Sequence, residues 1–156
     1  MYSETISDSV WDLLHRLNSM TQMKFYYLGG GTALALQLGH RISEDLDFFV
    51  AEELDHLSFE RAIKSKGLDT FVLNQTHDHT ELIIQSVRVD LIRERIPLKF
   101  PLKPIDSRIP NLKMADLKDI GRMKILSIGS RGSKKESNLI RITVDPCNGR
   151  RPWCSV

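Results

Sequence analysis

Asp45 and Asp47 stand two residues apart in Ser43-Glu44-Asp45-Leu46-Asp47-Phe48-Phe49, a short distance after Leu28-Gly29-Gly30-Gly31-Thr32. In an extended strand alternate side chains share a face, so these two carboxylates project together while Leu46 and Phe48 turn toward a core. Carboxylates ~6 to 7 Å apart on one face suit Mg²⁺, with Mn²⁺ as the alternative ion. Mg²⁺ usually takes one or two protein carboxylates and completes its shell with water and substrate phosphates. A glycine turn opening a helix supplies backbone N–H groups to such phosphates, which makes Gly30, Gly31 and Thr32 the candidate nucleotide-binding residues. The substrate this pairing implies is a nucleoside triphosphate.

A third carboxylate, Asp90, lies in Val87-Arg88-Val89-Asp90-Leu91-Ile92. Three acids converging on two metal ions ~3.5 to 4 Å apart would clamp the attacking and leaving oxygens of an in-line phosphoryl displacement. In that division of labour Asp45 and Asp47 hold the metal on the triphosphate. Asp90 helps a second metal or accepts the proton of an incoming hydroxyl. Lys124, within a basic helix, would neutralise a phosphate. Singly, each feature has a plainer explanation: exposed strand aspartates, a turn glycine or a surface lysine. Their order along one chain is what points to nucleotidyl transfer.

The elements needed to position these groups are legible in outline. Ser7 or Asp8 caps a first helix with Val10, Leu13, Leu14, Leu17 and Met20 at helical spacing. Phe25 to Leu28 reads as a strand, Thr32 to Leu38 as an Ala- and Leu-rich helix ended by Gly39, and Leu46 to Val50 as a second strand. Ser58 opens a helix stopped by Gly67. Thr70 to Leu73, Glu81 to Ile84 and Val87 to Ile92 then extend the sheet in antiparallel fashion. Pro97, Pro101, Pro104 and Pro110 imply an irregular surface crossover. A last helix starts near Asp116, buries Leu117, Ile120, Met123 and Leu126 or Ile128, and is punctuated by Gly129 to Ser133. The expectation is an α+β fold with a mixed sheet of about four to five strands flanked by helices.

The 156 residues, 41% hydrophobic and 27% charged, fit one ordinary globular domain rather than a disordered or membrane chain. No apolar run approaches the ~18 residues of a membrane span, and Glu4, Asp8 and Asp12 do not suit a signal peptide; a cytoplasmic protein is expected. Cys147 and Cys154 read as free thiols. The net charge of +2 conceals an acidic middle, Glu44 to Glu60, and a basic later part, Lys99 to Lys135, able to attract polyphosphate or RNA.

Leu28 to Leu36, Leu38 to Phe49 with its Ser-Glu-Asp-Leu-Asp, and Val89-Asp90-Leu91 together resemble the AbiEii/AbiGii toxin nucleotidyltransferases of the minimal polymerase-β-like fold. Asp119-Ile120-Gly121-Arg122-Met123-Lys124 is similar to the family's helix with its phosphate-binding lysine, and Ser130 to Lys135 to its basic turn, which adds Arg131 as a nucleotide-binding candidate. The resemblance implies an enzyme that adds a nucleotide from an NTP, GTP for some members, to a cellular acceptor such as a tRNA 3′ end. It also implies a toxin of a toxin-antitoxin or abortive-infection system with an antitoxin partner.

Past Lys135 the likeness ends. Glu136 takes the place of the first acid, Leu139 stands where a second Asp is usual, and Ile140 to Val156 has no helical period. Residues 1–135 are therefore expected to form a nucleotidyltransferase-like domain, and 136–156 a divergent, truncated or frame-shifted tail. Two further readings stay open. One is a catalytically impaired relic that binds an antitoxin or RNA; the other is a sugar transferase using Asp-x-Asp, which leaves the glycine triplet unexplained.

Overall fold

Helix α1 (Asp8–Asn18) starts at Ser7, whose side chain accepts the Val10 N–H, and buries Val10, Leu13, Leu14 and Leu17 along one face. This element comes from a computed structural model, which describes residues 1–131 and the side chains of residues 1–127. Strand β1 (Tyr27–Leu28) follows, then α2 (Gly30–Leu38), β2 (Leu46–Val50), α3 (His56–Ser65), β3 (Thr70–Gln75), β4 (His79–Ile84) and β5 (Val87–Arg93). β6 (Lys103–Pro104), β7 (Lys113–Met114) and α4 (Leu117–Arg131) complete the described order.

The strands form one mixed sheet in the order β3-β4-β5-β2-β1-β7-β6. β2 runs parallel to β5 and β1 parallel to β7, while the other neighbours are antiparallel. Seven strands exceed the four to five expected, because the proline-bearing stretch supplies two strands of two residues each. Pro104 lies in the edge strand β6, where a missing N–H breaks no inner ladder. Tyr27–Leu28 is shorter than the strand expected from Phe25, since Thr21–Phe25 is wound into a 3-10 turn.

Period-two alternation in β2, β4 and β5 sorts side chains into two faces. Leu46, Phe48 and Val50, Val89 and Leu91, and Leu82 and Ile84 are all buried. They share the core with the buried faces of α1, α2 (Ala33 to Leu36) and α3 (Phe59 and Ile63). The other face carries Asp47, Glu81 and Asp90.

Two compact units divide at Asp116/Leu117, and everything from α1 to β7 belongs to the first. In the second, α4 carries an ion pair between Asp119 and Arg122 at 2.6 Å, three residues apart on one helix side. It continues through Gly129 to Arg131 instead of stopping at the glycine, and Leu126, expected inward as the alternative to Ile128, is 51% exposed. A glycine inside a helix costs about 1 kcal/mol, too little to end it. Among the described residues no helix is long and apolar enough to cross a membrane.

Candidate active site

The glycine turn and β2 are built against each other. The Gly29 N–H donates to the Asp47 carbonyl at 2.9 Å, and the Gly31 N–H donates to Asp47 Oδ2 at 3.3 Å. Gly30, with φ of +56°, lies so close that a Cβ there would collide with the Asp47 carboxylate. A Cβ at Gly31 would strike the Arg41 guanidinium instead. Turn, carboxylate and guanidinium therefore occupy one small volume at the amino-terminal end of α2, where the first backbone N–H groups lack intrahelical acceptors.

Thr32 is fully buried, and its hydroxyl sits between the Ser43 hydroxyl at 2.8 Å and the Asp45 carbonyl. A carbonyl can only accept, so the single Thr32 proton goes to Asp45 and the Ser43 hydroxyl donates to Thr32. The hydroxyl thus fixes the backbone that carries Asp45. Toward a ligand, Thr32 can offer only its N–H.

Asp45 is exposed one residue before β2, and Asp47 is half-buried within it. Asp90 comes to the same face through the parallel pairing of β2 with β5, where Asp47 and Asp90 are direct partners in register. Neighbouring strands lie about 4.8 Å apart, so the two side chains leave the sheet side by side. The antiparallel pairing of β5 with β4 sets Glu81 directly across from Asp90, giving the row Asp47, Asp90, Glu81 over three strands.

Such a row of carboxylates would repel itself without cations. Asp90, only 10% exposed at its side chain, has Oδ1 at 2.6 Å from His79 Nε2 and Oδ2 at 3.3 Å from Arg88 Nε. Arg88 also reaches Glu81 Oε1 at 2.9 Å. Arg41, His79, Glu81 and Arg88 escape a reading of motifs. His79, Glu81, Arg88 and Asp90 do alternate along their strands, but only the register of β4 against β5 makes them neighbours.

Asp45 and Asp47, an exposed and a half-buried carboxylate two residues apart beside the glycine turn, are of the ligand type that Mg²⁺ takes. Among the described residues no group of three or more His, Cys, Asp or Glu is placed to hold a metal ion. Lys124 lies on α4 in the second unit, partly exposed. The Arg131 side chain, Glu136, Leu139 and the rest of 136–156 fall outside the described residues.

A family model described as nucleotidyl transferase AbiEii toxin, type IV TA system, matches residues 12–146. An uncharacterized protein of Aquifex aeolicus (strain VF5) is 34% identical over 128 residues, which are 80% of this chain and 60% of that one. The chain thus spans somewhat under two thirds of that relative. Among solved structures, a candidate nucleotidyltransferase of Thermotoga maritima, TM1012, superposes with a TM-score of 0.54 at 16% identity, covering 88% of this chain and 91% of the other. JHP933 of Helicobacter pylori gives 0.52 at 20% identity, covering 75% and 53%. These two likenesses concern the fold.

Proposed function

The chain belongs to the AbiEii nucleotidyltransferase toxin family, and on that premise we propose that it transfers a nucleotidyl group from an NTP to a hydroxyl acceptor, releasing pyrophosphate, with Mg²⁺ as the working ion. The observation that carries this reading is the registered pair Asp47 and Asp90 beside a glycine turn already bonded to Asp47. Bound at Asp45 and Asp47, Mg²⁺ would neutralise the triphosphate and polarise the phosphorus under attack.

The chain's own residues supply the rest. The N–H groups of Gly30 and Thr32 donate to phosphate oxygens, Gly31, whose N–H holds Asp47, shapes the same turn, and the Arg41 guanidinium adds a bidentate donor there. Asp90 orients the incoming hydroxyl and takes its proton. Lys124 and Arg131 are proposed, on the family likeness, as further nucleotide-binding residues. tRNA is the proposed acceptor, GTP the proposed donor and an antitoxin the proposed partner. All three belong with toxin action on cytoplasmic nucleotide and RNA pools, in abortive infection or a similar response.

Incubation with radiolabelled NTPs, Mg²⁺ and total RNA tests the reading. RNA should become labelled, and Asp47→Asn should abolish the label; labelling that survives in that variant sinks the assignment. Leu139, standing where a second Asp is usual, favours a second reading in which the fold binds NTP without turnover. That reading predicts saturable NTP binding with no labelled RNA.

A further inference from the structure

Asp90 poses a physical problem that its neighbours solve. A carboxylate exposed over only a tenth of its side chain must have its oxygens satisfied, or its charge costs several kcal/mol. We propose that His79 is a positioning residue that fixes the Asp90 carboxylate in the orientation the transfer reaction needs. This inference rests on Asp90 belonging to the nucleotidyl-transfer site.

The two donors grip Asp90 from opposite ends. His79 lies on β4 opposite Ile92, two residues beyond Asp90, and Arg88 lies two residues before it on β5. Held at Oδ1 from one side and at Oδ2 from the other, the carboxylate cannot rotate freely, yet each oxygen keeps a second lone pair. Those lone pairs are what a hydroxyl proton or an ion shared with Asp47 would use.

The two grips are unequal. His79 approaches to 2.6 Å, a short charge-assisted distance, whereas Arg88 stands at 3.3 Å, is 48% exposed and divides itself between Asp90 and Glu81. Among the described residues, loss of His79 would leave Arg88 to hold Asp90. Arginine forks favour bidentate pairing, so Asp90 would turn toward Arg88 and lose its present orientation. A partner that orients a working carboxylate is typically worth about 10–100-fold in metal affinity or activity.

The test uses His79→Ala and His79→Gln, the latter keeping an N–H donor of similar reach, each alone and combined with Asp90→Asn in the full chain. Two measurements are made: nucleotidyl labelling, and Mn²⁺ affinity by electron paramagnetic resonance, which needs no acceptor. His79→Ala should lower kcat about 10–100-fold with little change in KM for NTP and weaken Mn²⁺ binding about 10-fold. His79→Gln should recover most of both, and neither substitution should add to Asp90→Asn.

Folded His79→Ala with wild-type kcat and Mn²⁺ affinity overturns the proposal. A further loss on top of Asp90→Asn overturns it too, since His79 would then act independently of Asp90. If Asp90→Asn itself changes neither labelling nor Mn²⁺ binding, the placement of Asp90 in the site fails and the positioning role fails with it. Loss in Asp90→Asn beside an unaffected His79→Ala removes the positioning role alone.

Discussion

Gly30 meets two constraints at once: a backbone with φ of +56° and a carboxylate where a Cβ would sit. Gly30→Ala should cost about 1–3 kcal/mol in urea unfolding for the strained backbone alone and abolish labelling by displacing Asp47. Wild-type labelling by a folded Gly30→Ala protein would refute the close fit of turn and carboxylate. Tyr26 offers a second test away from the site. Burial, then the charges of Asp55 and Glu52, push its phenol from 10.0 up to about 12. The folded chain therefore holds the proton more tightly than the unfolded chain does. That stabilisation is complete below pH 10 and is lost as pH rises through about 12. Phenolate absorbance should show a step near pH 12 that Tyr26→Phe removes; a step retained in the variant would assign it elsewhere. Asp45, Asp47 and Asp90 can be picked out from residue type and spacing. His79 and Arg41 cannot, because a histidine or arginine outside a motif acquires meaning only from what it touches.

At the scale of elements, the Thr32 hydroxyl ties the loop between α2 and β2 back to α2. Thr32→Val removes the donor to the Asp45 carbonyl while keeping side-chain volume, and should destabilise by about 1–3 kcal/mol, measured by urea denaturation. It should also weaken Mn²⁺ binding at Asp45, because the hydroxyl fixes the backbone that carries that carboxylate. A stability loss with unchanged Mn²⁺ affinity would limit Thr32 to a structural role. Helix α1 and strands β2 to β5 follow from a cap residue, helical spacing and two-residue alternation; α3 follows in its apolar spacing but starts at His56 under an Asp55 cap, whose carboxylate accepts the Ser58 N–H, and not at Ser58. β6 and β7 do not, because strands of two residues have no period to detect and exist only through their pairing with each other and with β1. Leu126 likewise follows the helical spacing of a buried side yet lies exposed, since spacing locates a face but not what covers it.

For the whole molecule, exposed apolar surface predicts behaviour in solution. Edge strand β3 presents Phe71, Val72 and Leu73 at 69%, 44% and 56% exposure and carries neither a charge nor a proline, the devices that usually discourage edge-to-edge pairing. On α4, Ile125 and Leu126 are each 51% exposed. Concentration-dependent association is expected by light scattering and should fall in Leu73→Lys; a monodisperse monomer at all concentrations would contradict it. The sequence by itself determined the family, the glycine turn and the three aspartates, because these depend on residue type at fixed short spacing. Only the tertiary structure decided that Asp47 stands beside Asp90, that Glu81 completes the row, and that His79 and Arg88 hold Asp90 between them. Asp47 and Asp90 are 43 positions apart in the chain, and strand register, set by burial of the opposite face, is what brings them together.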